Sequence, residues 1–387
     1  MESLILKEVM NREGEWETWF SDTYPDIKIN RDGNFAIFNY GITSNFSNPI
    51  VQEARGIIID IVSKEVVCWP FRKFGKYTDS YADNIDWATA EVQEKLDGSI
   101  IKLWFNKYLE KWQFSTNGTI NAKNAIVSIR YGDTNFQDLI DRAISETSPI
   151  NYNILDKNCT YIFELTGVEN RVVVHYNECK LWAIGARNNI TGEEFIPDIG
   201  VERPRSFSIS NLDECITYLD NQHDSNSKIK GVELEGFVVV DSNWNRVKIK
   251  TPMYMVIHGL LDNSKTSKYH LIDYILRDKV DVGELCRQYP NVESVIKWYD
   301  YQLSQFLYDV RSLIDISTKM VKIYEGDMRI IGKLLSRERC SRFAFDCIKS
   351  GKTYQQIMDD MTIDTIIRFI PDYPKPNRSY LLQYREE

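Results

Sequence analysis

Several charged side chains stand at the ends of strand-like runs, where a polypeptide can hold a reactive group in a fixed place. Lys95-Leu96-Asp97-Gly98 lies between "VQE" and "SIIKLWF". Asp-Gly between two apolar runs is the commonest hairpin signal. The segment therefore reads as a plain turn, and equally as a lysine nucleophile presented at a strand end. Arg55-Gly56 heads a strand, Lys73 follows "CWPFR", and Glu164 closes "YIFEL". Glu235-Gly236 lies within a strand pair and Lys248-x-Lys250 ends another. Taken singly, each is better explained by an ordinary structural role such as a solvated strand end.

Other chemistries find less support. The four histidines lack metal-ligand spacing, and the seven cysteines are odd in number with no C-x-x-C pair. That pattern fits reduced thiols in a cytoplasm and not a disulfide or zinc framework. "GDMRIIGKL" has one residue too many between its glycines for a phosphate-cradling loop and lacks Ser/Thr after Lys333. No uncharged stretch approaches the roughly 20 apolar residues of a membrane span, and the charged start "MESLILKEVMNREGEWE" is not a secretory signal. A net charge of −9 argues against a protein that coats nucleic acid, but not against a local basic groove. Lys319 to Lys352 holds nine Lys/Arg against four Asp/Glu.

The elements that must position these residues are mostly short strands up to about residue 252. "ARGIIIDIVSKEVVCWP" reads as two strands joined at Ser63-Lys64, and "SIIKLWF" with "KWQFST" as a hairpin. "TYIFEL", "NRVVVHY" and "CKLWAIGAR" are β-branched or aromatic runs, and "GVELEGFVVVD" pairs with "NRVKIKT". Helices are predicted over Ala122 to Arg130 and Asn135 to Ser145. Many antiparallel-style strands with few helices between them predict an α+β fold. Behind them, Ile296, Tyr299, Leu303, Phe306, Val310 and Leu313 recur at three- and four-residue steps, an amphipathic helix. "YHLIDYILRD", "RIIGKLLSRER" and "YQQIMDDM" continue in helical style. The expected domains are residues 1–254 and a helical 255–387, with the tail "IPDYPKPNRSYLLQYREE" extended.

In order, "EKLDGS", "FELTG", "LEGFVV" and "VKIKT" resemble motifs I, III, IV and V of covalent nucleotidyltransferases, the superfamily of ATP-dependent ligases and mRNA capping enzymes. Within it the chain resembles the RNA ligase 1 family of tailed phages. The likeness rests on Phe163-Glu164, Asn170-Arg171-Val172-Val173, Tyr176, Lys180, Glu235-Gly236-Phe237-Val238, Lys248-Ile249-Lys250 and Tyr254, with "ARG" and "PFRKF" upstream.

The resemblance implies a nucleotidyltransferase domain of antiparallel sheets with flanking helices, ATP-grasp-like, followed by an all-α domain. It implies an ATP-dependent RNA ligase that joins 5′-phosphate and 3′-hydroxyl ends, with Mg²⁺ as cofactor and Mn²⁺ as substitute. Lys95 would be the nucleophile that takes AMP. Its reference pKa of about 10.4 lies some three units above cell pH, and closing that gap takes about 4 kcal/mol of differential interaction. Lys73, Lys248 and Lys250 are the implied neighbouring cations and catalytic partners, and Arg55 suits bidentate phosphate recognition. Tyr40, Arg55, Lys73, Asp97, Gly98, Glu164, Val238, Lys248 and Lys250 would bind the nucleotide, with Glu164 on the ribose and Val238 or an aromatic near Trp182 against adenine. Glu235 and Asp281 would hold metal, and Lys333, Arg337, Arg339 and Arg342 would dock RNA. The implied setting is tRNA repair in the cytoplasm of a phage-infected bacterium. There a monomer seals anticodon-loop breaks prepared by a polynucleotide kinase-phosphatase, with no part in a membrane.

The chain departs from the family pattern at "FSTNGTI", where Asn117 stands in place of a lysine; Lys123 or Lys102 could compensate. A DNA ligase or a capping guanylyltransferase shares the lysine motif, but both carry a strand-rich barrel where this chain reads helical. A non-catalytic RNA-binding relative would keep the fold without the chemistry.

Overall fold

In the computed structural model, residues 2–12, 14–41, 44–128, 134–221, 233–261, 265–276 and 281–374 are described. Two compact units divide at Tyr254/Met255. The first is antiparallel α+β. Its N-terminal sheet runs Ile27–Asp32, Phe35–Tyr40, Arg55–Asp60 and Glu65–Cys68. The isoleucine run Ile57 to Ile59 is buried on both faces there. On one face Ile57 and Ile59 meet Ile5, Val9 and Phe20 from the helices Leu4–Asn11 and Trp16–Thr23.

A five-stranded sheet is ordered Glu194–Phe195, Lys180–Asn188, Cys159–Thr166, Ser99–Asn106, Lys111–Ser115. The helix Phe136–Glu146 packs Leu139, Ile140 and Ala143 against its face. A second four-stranded sheet is ordered Ser206–Phe207, Glu91–Lys95, Gly236–Val240, Arg246–Lys250. Cys215 and Leu219 of the helix Leu212–Asn221 cover Phe237, Val239, Val247 and Ile249 there. Glu91–Lys95 and Ser99–Asn106 thus belong to different sheets. Leu96-Asp97-Gly98 is a crossing between sheets and not a hairpin turn, which removes the blander reading of the segment.

Two expectations are corrected. Ala122 to Arg130 is no helix in its described part: a single 3-10 turn, Ala122–Asn124, leads into the strand Ile126–Ser128, with the remainder outside the described residues. "NRVVVHY" forms no strand. Its valines have the composition of one, but two of their backbone N–H groups are taken by a buried carboxylate.

The second unit is helical. Glu293–Ile323 is its long axis, with Ile296, Tyr299, Leu303, Phe306, Val310 and Leu313 all buried. Phe306, Phe343 and Phe369 form an aromatic knot that joins this helix to Ser341–Ser350 and Ile363–Phe369. Among the described residues no helix is long and apolar enough to cross a membrane. The proline-punctuated tail from residue 375 lies outside the described residues.

Candidate active site

Gly236 stands opposite Lys95 on one side and Lys250 on the other in the antiparallel register. Its φ is +149°, and a Cβ there would lie 2.0 Å from the Ile249 carbonyl oxygen, so only glycine fits. Glu235, one residue earlier and 2% exposed, sits between the two lysines. Its Oε2 lies 2.7 Å from Lys95 Nζ and its Oε1 2.9 Å from Lys250 Nζ.

The crossing from Lys95 to Ser99 is held by a latch centred on Asp97. Asp97 Oδ2 accepts the N–H groups of Val173 and Val174, both at 2.7 Å, and Oδ1 accepts the Tyr254 hydroxyl at 2.7 Å. The Asp97 N–H donates to Tyr176 Oη at 3.0 Å, and the Gly98 N–H to Glu164 Oε1 at 3.1 Å. Burial raises the Asp97 pKa, with the Glu235 charge adding to it and the donated hydrogen bonds opposing it. A Cβ on Gly98 would stand 2.1 Å from the Leu165 carbonyl oxygen. Gly98→Ala is therefore expected to cost roughly 1–3 kcal/mol through overpacking. A thermal melt measures that loss, and wild-type stability would disprove the close approach.

These elements wall a cavity of about 510 Å³, a size ordinary for a small-molecule site. Its charged lining includes Arg55, Lys95, Glu164, Lys248 and Lys250, and its apolar lining Phe71, Phe74, Ile100 and Val238. Arg55 lies over Phe71 and Phe74, at 4.9 and 5.2 Å from the ring centroids. Burial lowers Lys248 to about 6, helped by the positive charges of Lys73, Lys250, Lys95 and Arg55. Burial also depresses Lys250, against the pull of Glu235. Glu164 moves the other way, up to about 7, because burial outweighs the charge of Lys95.

The sequence-derived residues fall into groups. Lys95, Arg55, Gly98, Glu164, Val238, Lys248 and Lys250 share the cavity wall. Glu235 joins them through its two ion pairs. Asp97, expected as a nucleotide contact, does not line the cavity; both its oxygens serve the latch that holds the crossing. Lys73 and Tyr40 also stand outside the lining. The Lys73 ammonium sits 5.2 Å from the Tyr40 ring and 5.0 Å from that of Phe46, and bears on the cavity through its charge on Lys248. Trp182 is likewise displaced from the lining, its Nε1 donating to Thr166 Oγ1 at 3.0 Å. Asn117 does line the cavity. Lys123 is exposed, and Lys102 is fully buried and absent from the lining, so neither supplies a cation to the cavity in place of the missing lysine. Asp281 belongs to the second unit and caps the helix Val282–Gln288, its side chain accepting the Glu284 N–H at 2.9 Å. Phe71 and Phe74 line the cavity although the sequence reading did not name them; the aromatics that flank Lys73 in "PFRKF" are the signal that points to them.

The fit to a nucleoside triphosphate is an observation of charge. Among the described residues Arg55, Lys73 and Lys248 have no carboxylate partner, and Glu235 alone pairs with the lysines beside them. A polyanion completes such a set, and the apolar wall suits a base. A metal held by protein alone does not fit: among the described residues no group of three or more His, Cys, Asp or Glu is placed to hold an ion. A Mg²⁺ shared between phosphates and one or two carboxylates does fit the pattern of that ion.

Fold and site together define an antiparallel α+β protein with a cation-lined, nucleotide-sized cavity and a lysine at its strand end. The chain belongs to the RNA ligase family, which matches residues 53–254. It is 29% identical over 297 residues to a protein of Autographa californica nuclear polyhedrosis virus named as a bifunctional polynucleotide kinase/RNA ligase, covering 70% of this chain and 40% of that one. It is 24% identical over 315 residues to an RNA ligase of Rhodothermus phage RM378, covering 66% of this chain and 70% of that one. Among solved structures, an archaeal ATP-dependent RNA ligase shares 12% identity and a TM-score of 0.45, over 75% of this chain and 80% of that one. The chain spans less than half the length of the first of these relatives.

Proposed function

We propose that the protein is an ATP-dependent RNA ligase that works through AMP carried on Lys95. The observation that carries this reading is the Lys95 amine at a strand end, in the wall of a nucleotide-sized cavity that it shares with Arg55, Lys248 and Lys250. In the first step the Lys95 nitrogen bonds to the α-phosphorus of ATP, the α–β phosphoanhydride bond breaks and pyrophosphate leaves. The hydrogen bond to Glu235 Oε2 gives the ammonium proton an acceptor. Arg55, Lys248 and Lys250 neutralise phosphate oxygens where charge builds in the in-line transition state. A 5′-phosphate oxygen of RNA then displaces the lysine and takes AMP. Last, a 3′-hydroxyl attacks that 5′-phosphate and expels AMP. Glu164 is assigned to the ribose hydroxyls, and Glu235, together with phosphate oxygens, to the divalent cation. When bound, Mg²⁺ or Mn²⁺ supplies charge neutralisation on the phosphates.

The test offers purified protein α-labelled ATP with Mg²⁺, then 5′-phosphate single-stranded RNA, nicked DNA duplex, and GTP with diphosphate-ended RNA side by side. Label that survives denaturation, followed by sealing of the single-stranded RNA, is expected. Preference for either of the other two would overturn the reading.

Lys248 also predicts a pH effect. Its free pKa is about 6, and a bound triphosphate raises it, so binding takes up a proton and ATP affinity falls as pH rises above 6. Titration calorimetry at pH 7.5 in buffers of different ionisation heat is expected to show net uptake that Lys248→Met removes. Unchanged uptake in that variant would count against the assignment.

For the substrate, we propose a broken tRNA prepared by a separate kinase-phosphatase. The name of the baculovirus relative, which joins a polynucleotide kinase to an RNA ligase, supports that coupling. Lys333, Arg337, Arg339 and Arg342 are all exposed on the helical unit, within its stretch of nine basic against four acidic residues. Reversing Lys333, Arg337 and Arg339 to glutamate is expected to weaken sealing of nicked tRNA by at least about tenfold at low salt, since each phosphate contact adds to the salt-dependent affinity. Adenylation of Lys95 should stay unchanged, and equal losses in both would argue against RNA docking there.

A further inference from the structure

Lys102 is the one buried lysine of the site region that the chemistry above leaves without a task. It lies on the strand Ser99–Asn106, which leads away from Lys95, and is 0% exposed. Burial of an ammonium away from any carboxylate is unfavourable, and burial brings this one down to about 8. An apolar chain of the same length would fill the space at lower cost. What a methionine could not do is donate. Lys102 Nζ donates to the Gly56 carbonyl at 2.8 Å and to the Thr116 carbonyl at 2.7 Å.

The two carbonyls belong to separate parts of the fold. Gly56 lies on the strand Arg55–Asp60 of the N-terminal sheet, and Thr116 just beyond Lys111–Ser115 of the five-stranded sheet. Each adjoins a cavity residue in the chain, Gly56 next to Arg55 and Thr116 next to Asn117. Both of these neighbours carry a buried polar atom with no protein partner, Nε of Arg55 and Oδ1 of Asn117. Buried polar atoms are nearly always satisfied, so these two mark where the cavity wall is held in place against the preference of its own polar groups. The packing is continuous. Gly56 has φ +83°, and a Cβ on it would stand 2.1 Å from Lys102 Nζ and 2.8 Å from the Asn117 Cα.

We propose that Lys102 is a positioning residue for nucleotide transfer: by tying the Gly56 and Thr116 carbonyls together it holds Arg55 and Asn117 in the cavity wall, aimed at the nucleotide. The inference rests on the ligase reading of this cavity. It also gives the position of Asn117 a physical sense. With no charge of its own to draw it to phosphate, an asparagine needs its loop fixed from behind, and Lys102 does that from within the core.

The experiment compares full-length wild type, Lys102→Met, Asn117→Ala and the double variant in single-turnover labelling by α-labelled ATP across a range of ATP concentrations, with a thermal melt of each. Lys102→Met is expected to raise the ATP concentration for half-maximal labelling about tenfold, the worth of one or two hydrogen bonds. Because Lys102 acts through Asn117, the double variant should label no worse than Lys102→Met alone. A purely structural brace would lower the melting temperature and leave the ATP dependence where it was, which overturns the proposal. So would losses in the two single variants that multiply in the double. Should Lys102→Met fail to melt cooperatively, Lys102→Gln replaces it: one atom shorter, it keeps only part of the tie, so an ATP requirement raised by less than tenfold is expected, and one equal to wild type overturns the proposal. Wild type that takes no label overturns the ligase reading itself, an outcome separate from a wild type that labels and a variant that labels equally well.

Discussion

Lys95→Arg is expected to carry no covalent AMP. The guanidinium keeps the positive charge and can keep the pairing with Glu235, so the cavity loses little of its field. It cannot shed a proton at any accessible pH, so it cannot attack phosphorus. Labelling by α-labelled ATP should fall by at least about 10⁴-fold, as when a covalent nucleophile is removed from an enzyme whose other groups act with it as a unit. Sealing of RNA that already bears a 5′-linked AMP should survive within about tenfold, since that step uses the cations and not the amine. Mass spectrometry of the intact chain reads the first result and a sealing gel the second. An AMP adduct on this variant, or on a lysine other than Lys95 in wild type, would sink the assignment of the nucleophile.

Glu235→Gln is the second large effect, and it separates rate from affinity. The carboxylate touches Lys95 and Lys250 and is nearly inaccessible to solvent. Replacing it by an amide of equal shape leaves both ammonium groups beside Lys248 with no anion between them. Breaking a buried pair in this way typically costs about 3–5 kcal/mol. The cavity meanwhile gains a net positive charge, so ATP should bind no more weakly than to wild type. Labelling of Lys95 should nevertheless slow by at least about 10²-fold, because the amine loses the acceptor that aligns it and any metal loses a ligand. Equilibrium binding of ATP and single-turnover labelling, measured on the same preparation, give the split. Affinity that collapses in step with rate would mean that Glu235 serves chiefly to bind the nucleotide.

How much of this was legible in the sequence varies with what each residue answers to. Lys95, Glu164, Glu235, Lys248 and Lys250 were found because their order and spacing along the chain are themselves the signal. The strand pairs around them followed from β-branched runs broken by turn residues, and the long helix from the three- and four-residue recurrence of Ile296 to Leu313. What stayed hidden depended on contacts made across long stretches of chain. Asn170 to Tyr176 read as a strand because Val172-Val173-Val174 has the composition of one. Nothing local reveals that Val173 and Val174 give their N–H groups to a carboxylate 76 and 77 residues away. Asp97 read as a nucleotide contact for a similar reason: the motif names the residue but not the direction its side chain faces. Lys102 was visible only as a cation in a strand, with no hint that it is wholly enclosed.

The crossing at Leu96-Asp97-Gly98 carries a further consequence. Since Lys95 closes a strand of one sheet and Ser99 opens a strand of the other, the aim of the amine is a mechanical property of how two hydrophobic cores sit together. A methylene lost beneath Phe237 or beside Phe163, far from any phosphate, would tilt one layer against the other and be felt at the reacting atom as misalignment. Tolerance to mutation in this unit should therefore be narrower for catalysis than for folding. Adaptation to heat or cold would then leave its mark first in turnover.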